Sequence, residues 1–356
     1  MAYTTINKPT DYFNTKLYTG NGSNNSTQSI SGVGFQPDLV WIKSRATTAR
    51  HALQDVIRGT GDHRLSSNIT QYEGFDENDW AGGYISSFNS DGFTANGGTS
   101  NASIVNNNGT NYASWNWKAN GAGSANTDGS ISSTVSANTT SGFSIVSYTG
   151  NGSAGGATLG HGLGAVPKMF IIKNRSTAKD WTVYHNSISA ENYVELNTTI
   201  ASTDSSSIFN DTAPTSSVFT IGNNGQVNTS GDNYIAYCFA DVQGYSKIGS
   251  YTGNGNADGT FVYTGFKPAW VMVKKISGTG NWFLFDNKRN TFNVVTTALS
   301  PDLSDADNNM GNVLDFLSNG FKFRDAYGGY NDGSFIYMAF AEVPLVGSNG
   351  VTAKAR

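Results

Sequence analysis

The chain is poor in residues that cross-link or charge a protein. It has one cysteine, Cys238, in 356 residues, which excludes an intramolecular disulfide framework. Charged residues make up 13% of the chain, the net charge is −4, and no Lys- or Arg-rich block interrupts the sequence. Nucleic-acid binding is therefore not expected, because it needs many cations against the phosphates.

Long hydrophobic runs are also missing. No stretch approaches the roughly 20 apolar residues of a membrane-spanning helix. The start MAYTTINKPT lacks the basic and apolar regions of a secretory signal. We therefore expect no membrane partner and no export by a signal peptide.

The chain is instead rich in glycine, with 42 residues, and in aromatics, at 12%. Its apolar runs are short and are bounded by Gly, Asn, Asp and Pro, a pattern typical of strands joined by tight turns. The composition predicts an all-β protein. Only two short segments, 51–59 and 312–320, are helix candidates.

An internal repeat predicts the organisation of the chain. The pentapeptide YTGNG begins at Tyr18, Tyr148 and Tyr251. Each copy is followed by a proline and, six residues after that proline, by a lysine: Lys43, Lys173 and Lys274. Each repeat closes with a similar strand, YASWNWKA, YIAYCFADV or FIYMAFAEV. We expect the three lysines to occupy one structural position.

The repeats set the predicted boundaries. Residues 1–11 form a leader, 12–121, 142–244 and 245–344 form the three units, 122–141 form a Gly/Ser/Asn/Thr-rich linker or extended crossing strand, and 345–356 form a tail. Because the junction between the second and third units is short, we expect those two to pack as the tighter pair. At about 100 residues with six to ten strands, each unit is expected to be a β-sandwich of the jelly-roll kind.

The repeats also carry a family resemblance. The segments MAYTTINKPTDYFNTKLYTGNG, GFQPDLVWIK, ATLGHGLGAVPKMFIIKNRS, YTGFKPAWVMVK and SDGFT…YASWNWKA resemble virion-associated proteins of marine tailed phages, cyanophages included, with tandem concanavalin-like domains. The resemblance covers about residues 1–344. It implies a component of the virion, such as a tail fibre, an appendage or a capsid decoration, that is assembled in the host cytoplasm and contacts other virion proteins.

Catalytic motifs are scarce. The four histidines include no HExxH motif, no GxSxG elbow occurs, and no carboxylate pair suggests glycoside hydrolysis. His161, between glycines, is interpreted as a turn histidine bonded to backbone. The acidic groups Asp76/Glu77/Asp79 and Asp302/Asp305/Asp307 could in principle hold Ca²⁺, but solvated loop carboxylates are the better interpretation. We expect no enzyme activity, cofactor or metal.

Aromatic residues divide into core and surface candidates. Trp117, Phe239 and Phe340 stand at equivalent positions of the closing strands, so we expect them to be buried. Trp80, Tyr327 and Tyr330 lie in loops without equivalents and are the candidates for binding a glycan or a partner.

Two functions remain open. The first is a non-enzymatic virion structural protein that works through subunit packing, as a homo-oligomer with a trimer as the first guess. The alternative is a lectin-like receptor-binding module for host-surface polysaccharide.

Overall fold

The computed structural model describes residues 3–22, 24–74, 79–99, 103–347, 350 and 352. The protein is all-β, with 45% strand and 4% helix, as the composition predicted. Within the described ranges the strands form six sheets, and neighbouring strands run antiparallel. None of the described helices is long and apolar enough to cross a membrane.

The first unit contains a 3-10 turn, seven strands and one short helix: Pro9–Asp11, β1 Phe13–Thr19, β2 Thr27–Ser31, β3 Leu39–Ser44, β4 Ala52–Asp55, α1 Asp79–Gly82, β5 Tyr84–Asn89, β6 Gly92–Asn96 and β7 Asn111–Trp117. Two strands follow it: β8 Ser124–Asn126 and β9 Ser133–Asn138.

The second unit contains eight strands, a 3-10 turn and one short helix: β10 Phe143–Thr149, β11 Ala157–Gly160, β12 Met169–Asn174, β13 Thr182–His185, the turn Asn186–Ile188, β14 Asn192–Glu195, β15 Thr203–Asp204, α2 Ser206–Phe209, β16 Val218–Ile221 and β17 Asn233–Phe239. The third unit contains eight strands: β18 Ser246–Asn254, β19 Phe261–Tyr263, β20 Phe266–Lys275, β21 Trp282–Asp286, β22 Val295–Ala298, β23 Asn308–Leu317, β24 Gly320–Phe323 and β25 Asp332–Pro344.

Each unit supplies an inner sheet with the same strand order: β1-β7-β3-β4, β10-β17-β12-β13 and β18-β25-β20-β21. A second sheet belongs to each unit: β2-β6-β5, β11-β16 and β19-β24-β23-β22. The expectation for the repeat lysines is confirmed. Lys43 pairs with Ala113, Lys173 with Ile235 and Lys274 with Ile336. Each of these partners comes one residue after the first aromatic residue of its closing strand.

Of the two alternatives for residues 122–141, the extended crossing strand is confirmed and the flexible linker is not, because β9 pairs with β10 along six residues and β8 pairs with β9. Backbone ladder bonds need no apolar side chains, which is why a Ser/Thr-rich segment can extend the sheet. The expectation of two helices is wrong: the candidate 51–59 contains β4 followed by a turn, and 312–320 lies largely in β23. Pairing of these strands with β3 and β24 overrides local preference.

The inner sheets of the three units pack against one shared core. Trp117, Phe239 and Phe340 form a triangle there, with ring centroids 5.9 to 6.4 Å apart, and all three are buried. The opposite face of each inner sheet packs against that unit's own second sheet, in a separate apolar cluster. The inner strands are therefore buried on both faces, which explains apolar runs such as LVWI and MFII.

We predict that replacing Trp117 by Ala destabilises the whole chain in one step. The ring packs on Phe13, Phe239 and Phe340, so its loss leaves a cavity shared by the three units and costs about 3–5 kcal/mol. Calorimetry should show a single transition at a lower temperature. The control is Phe292→Ala, at a residue 77% exposed, which should change the unfolding free energy by less than about 0.5 kcal/mol. A separate early transition carrying only part of the enthalpy would mean that the first unit unfolds on its own.

Candidate functional site

The three units are joined by backbone hydrogen bonds in cyclic order. At each junction the amide of the sixth residue after the repeat lysine donates to a carbonyl of the preceding unit: Lys179 to Thr70 at 3.0 Å, Gly280 to Thr199 at 2.9 Å and Ala49 to Ser304 at 2.8 Å. The second unit thus contacts the first, the third contacts the second, and the first contacts the third. The same backbone contact recurs at every junction, and a tighter packing of the second and third units stays a prediction.

The side chain at the eighth position after each lysine also bonds to the preceding unit. Trp181 Nε1 donates to the carbonyl of Ser66, and Trp282 Nε1 donates to that of Glu195. His51 takes this position in the first unit, where its Nε2 lies 3.1 Å from the carbonyls of Ser300 and Leu303.

His51 is held neutral in this position. Trp41 Nε1 donates to its Nδ1, which leaves the proton on Nε2 to donate to the carbonyls. Burial lowers the pKa of His51 to about 3. The imidazole therefore serves as a structural hydrogen-bonding group, as does that of His161, which bonds to the amide of Leu163 and the carbonyl of Thr215, as the turn interpretation predicted.

The twelfth position connects the units in the opposite direction. Asp55 accepts from Tyr237 Oη of the second unit at 2.8 Å, and Asp286 accepts from Trp115 Nε1 of the first unit at 3.2 Å. His185 takes this position in the second unit and contacts the carbonyl of Tyr337 at 3.3 Å. Burial lowers the pKa of His185 to about 4.

Buried ion pairs accompany the two aspartates. Arg58 and Arg289, three residues further on, bind Asp55 at 2.5 Å and Asp286 at 2.6 Å, and the side chains of both pairs are fully buried. Each arginine also pairs with a second carboxylate, and that carboxylate pairs in turn with an arginine of the neighbouring unit. Glu73 bridges Arg58 to Arg175, and Asp307 bridges Arg289 to Arg45.

The interpretation of Asp302 and Asp307 as solvated loop carboxylates is wrong. Asp307 belongs to the ionic network above, and Asp302 is 7% exposed. Asp302 accepts from the backbone amide of Trp282, as Asn197 accepts from Trp181 and Asn68 from His51. Asp76 and Glu77 lie outside the described residues. Among the described residues no group of three or more His, Cys, Asp or Glu could hold a metal ion.

The three aromatic candidates have different locations. Trp80 lies in α1, and its side chain is outside the described part of the structure. Tyr330 is not a surface residue: it is 0% exposed, packs on Phe323 at 5.4 Å and presents its carbonyl to Tyr251 Oη. Tyr327 is 48% exposed and is held from below by Tyr330 and Phe283.

Tyr327 borders a cleft of about 410 Å³ at the junction of the second and third units. The other lining residues are Thr199, Lys275, Thr279, Gly280, Asn281, Phe283, Gly328 and Gly329. Lys275 Nζ donates to the carbonyl of Gly328 at 3.1 Å, and no carboxylate of the described residues lies within ion-pair distance of it. An aromatic ring, a cation, an amide and two hydroxyls thus meet in one place, which sequence reasoning found only through Tyr327.

A larger cleft, of about 530 Å³, lies where residues 3–5 meet the second unit. Its lining includes four threonines, Tyr3 and Gln243, and its one carboxylate, Asp241, is already bound to Lys247 and to the amide of Ile248. The Tyr327 cleft is therefore the better candidate for recognition.

A family model described as a domain of unknown function (DUF7483) matches residues 8–344, and the chain therefore belongs to that family. No curated protein and no solved structure matches it.

We predict that Asp302→Asn stabilises the protein above neutral pH. Burial raises the pKa of Asp302 to about 7, and one of its buried oxygens, Oδ2, has no hydrogen-bond partner among the described residues. The fold thus favours the protonated acid, so the stability of the natural chain falls relative to the variant as pH rises from about 4 to 7. At about 1.4 kcal/mol per pKa unit, the difference reaches on the order of 4 kcal/mol above pH 7 and vanishes near pH 4.

Denaturant unfolding at pH 4, 6 and 8 measures this difference. The matched control is Asp305→Asn, an exposed residue of the same loop, which should have a small effect at each pH. Equal stabilities of Asp302→Asn and the natural chain at every pH would show that the fold accommodates the ionised carboxylate.

Proposed function

We propose that this family member is a non-enzymatic structural protein of a phage virion, a tail-fibre, appendage or capsid-decoration component that acts through subunit packing. The observation that carries the proposal is the use made of its ionisable groups. His51, His185, Asp55 and Asp286 are buried in links between units, where none of them can reach a substrate. These groups hold the units of one chain together, which supports a structural role rather than turnover.

The proposal includes the finer fold class. Two antiparallel sheets face each other across an apolar cluster in each unit of about 100 residues, which supports three concanavalin-like jelly rolls in series. The resemblance of the repeat segments to virion-associated proteins of marine tailed phages supports the location. The proposed route is assembly in the host cytoplasm without a signal peptide.

The proposed partners are other virion proteins and further copies of the chain, with a homotrimer as the first arrangement to test. The trimer is proposed because closed symmetry is the rule for homo-oligomers; the three-unit ring already closes within one chain and does not itself require further copies. The trimer stays a prediction.

The second candidate function is recognition of host-surface polysaccharide. The Tyr327 cleft favours it, because a fixed, half-exposed aromatic ring beside amide and hydroxyl groups is suited to the apolar face and hydroxyls of a sugar. The two functions are compatible in an appendage that both builds the particle and contacts the host.

We predict that the chain is found in purified particles of the phage that encodes it. Mass spectrometry should detect it after density-gradient purification, and antibody labelling should place it on the outside of intact virions. Light scattering of the isolated chain gives its oligomeric state, and a reducing-sugar assay against bacterial polysaccharides should stay at background. Absence of the chain from purified particles would overturn the structural function, and release of reducing sugar would overturn the non-enzymatic part.

A further inference from the structure

The Tyr327 cleft has a filled counterpart in the second unit. Tyr251 Oη donates to the carbonyl of Tyr330, and Tyr148 Oη donates to that of Val227, so these two loops align. Three residues earlier, the carbonyls of Tyr327 and Asn224 accept from equivalent amides. Tyr327 therefore stands where the second unit has Asn224, and the turn itself does not require an aromatic residue.

Two glycines open the cleft in the third unit. Gly280 is equivalent to Lys179, six residues after the repeat lysine, and Gly329 is equivalent to Gln226 in the aligned loop. In the second unit the side chain of Lys179 lies over Gly225, 3.4 Å from a Cβ built there. Gln226 bonds to Glu195 and Thr182 beside it. These side chains cover the surface that is open around Tyr327.

Gly329 has a second role. A Cβ at this position would lie 2.3 Å from Cε1 of Tyr327, so only glycine allows the ring to lie against this backbone. At Gly280, by contrast, the nearest atom to a built Cβ is Lys275 Cβ at 3.3 Å, and its backbone is outside the left-handed region. A side chain fits at Gly280 with a shift of a few tenths of an ångström.

Lys275 gives the cleft a charge preference. It takes the place of Asn174: Asn174 Nδ2 bonds to the carbonyl of Gly225, and Lys275 Nζ bonds to that of Gly328. The ammonium also lies over the ring of Phe335, 6.0 Å from its centroid, and most of its hydrogen-bond donor capacity is unused by the described residues. Asn281, Thr199 and Thr279 add neutral hydrogen-bonding groups around it.

We propose that this cleft binds an acidic sugar residue of a polysaccharide. Tyr327 packs on the apolar face of the pyranose ring, Lys275 pairs with its carboxylate, and Asn281 with the threonines bonds to its hydroxyls. The volume of about 410 Å³ lies at the small end of the roughly 300–1,000 Å³ of ligand cavities. The inference rests on the second proposed function, polysaccharide recognition, and names its site and ligand class.

The test uses the full chain with oligosaccharides of galacturonate and glucuronate, and with neutral galactose and glucose oligosaccharides as their uncharged partners. Calorimetric titration should detect the acidic set in preference to the neutral set. Gly280→Lys restores the residue that the second unit has, and Tyr327→Ala removes the platform. Each should weaken binding by on the order of tenfold or more, as the loss of a central contact does. Lys275→Met should abolish the preference for the acidic set, and Lys275→Arg should restore it.

The matched control is Tyr263→Ala, at a tyrosine that is 55% exposed and does not line the cleft, and it should bind as the natural chain does. Thermal melts establish that each variant is folded. Binding of acidic sugars that Gly280→Lys and Tyr327→Ala leave unchanged would overturn the site while polysaccharide recognition stands. Equal binding of both sets, unaffected by Lys275→Met, would overturn the ligand class. No binding of either set overturns the inference, and a silent array of host polysaccharides overturns the recognition function itself.

Discussion

The contact of Trp117, Phe239 and Phe340 around one point is the constraint on which the architecture depends. Each ring comes from the same position of a different unit, and each belongs to an inner sheet that is buried on both faces. A unit taken alone would expose one of these faces to water, which is the kind of large apolar patch that monomeric proteins avoid. Closing the three units within one chain buries all three of these faces against one another. The apolar core therefore makes the units interdependent although the repeats look like separate domains in the sequence.

Polar groups at the edge of this core fix the rotation of one unit against the next. Two junctions use an ionic network, Arg58–Glu73–Arg175 and Arg289–Asp307–Arg45. At the third junction the equivalent positions are Ile188, Ser202 and Ile276, and the buried aspartate is replaced by His185. The backbone hydrogen bond that the amide of Ser202 donates to the carbonyl of Ile276 remains. The replacement is concerted, because removing one partner of a buried ion pair leaves an uncompensated charge at a cost of about 3–5 kcal/mol.

Features that the three repeats share as identical residues could be predicted from the sequence. Features that they share only as equivalent contacts could not. The spacing from proline to lysine gave the register of the inner strands correctly, since both residues are identical in each unit. The junction segments share only a short pattern, with Asn68, Asn197 or Asp302 two residues before Thr or Ser, too weak to find without contacts. Tyr330 was misplaced for a related reason. Its loop is aligned by a hydrogen bond from Tyr251, which puts it at the buried position of Val227.

The same redundancy explains why one junction can carry a cleft. Because the backbone contacts at the three junctions are equivalent, the side chains around any one of them can change while the ring stays closed. The junction of the second and third units has lost the ionic network, and it is there that Gly280 and Gly329 leave space beside Tyr327. At this junction the ammonium of Lys275 and the open ring face of Tyr327 belong to the same surface, and the scaffold that the other two junctions secure can present them to a ligand.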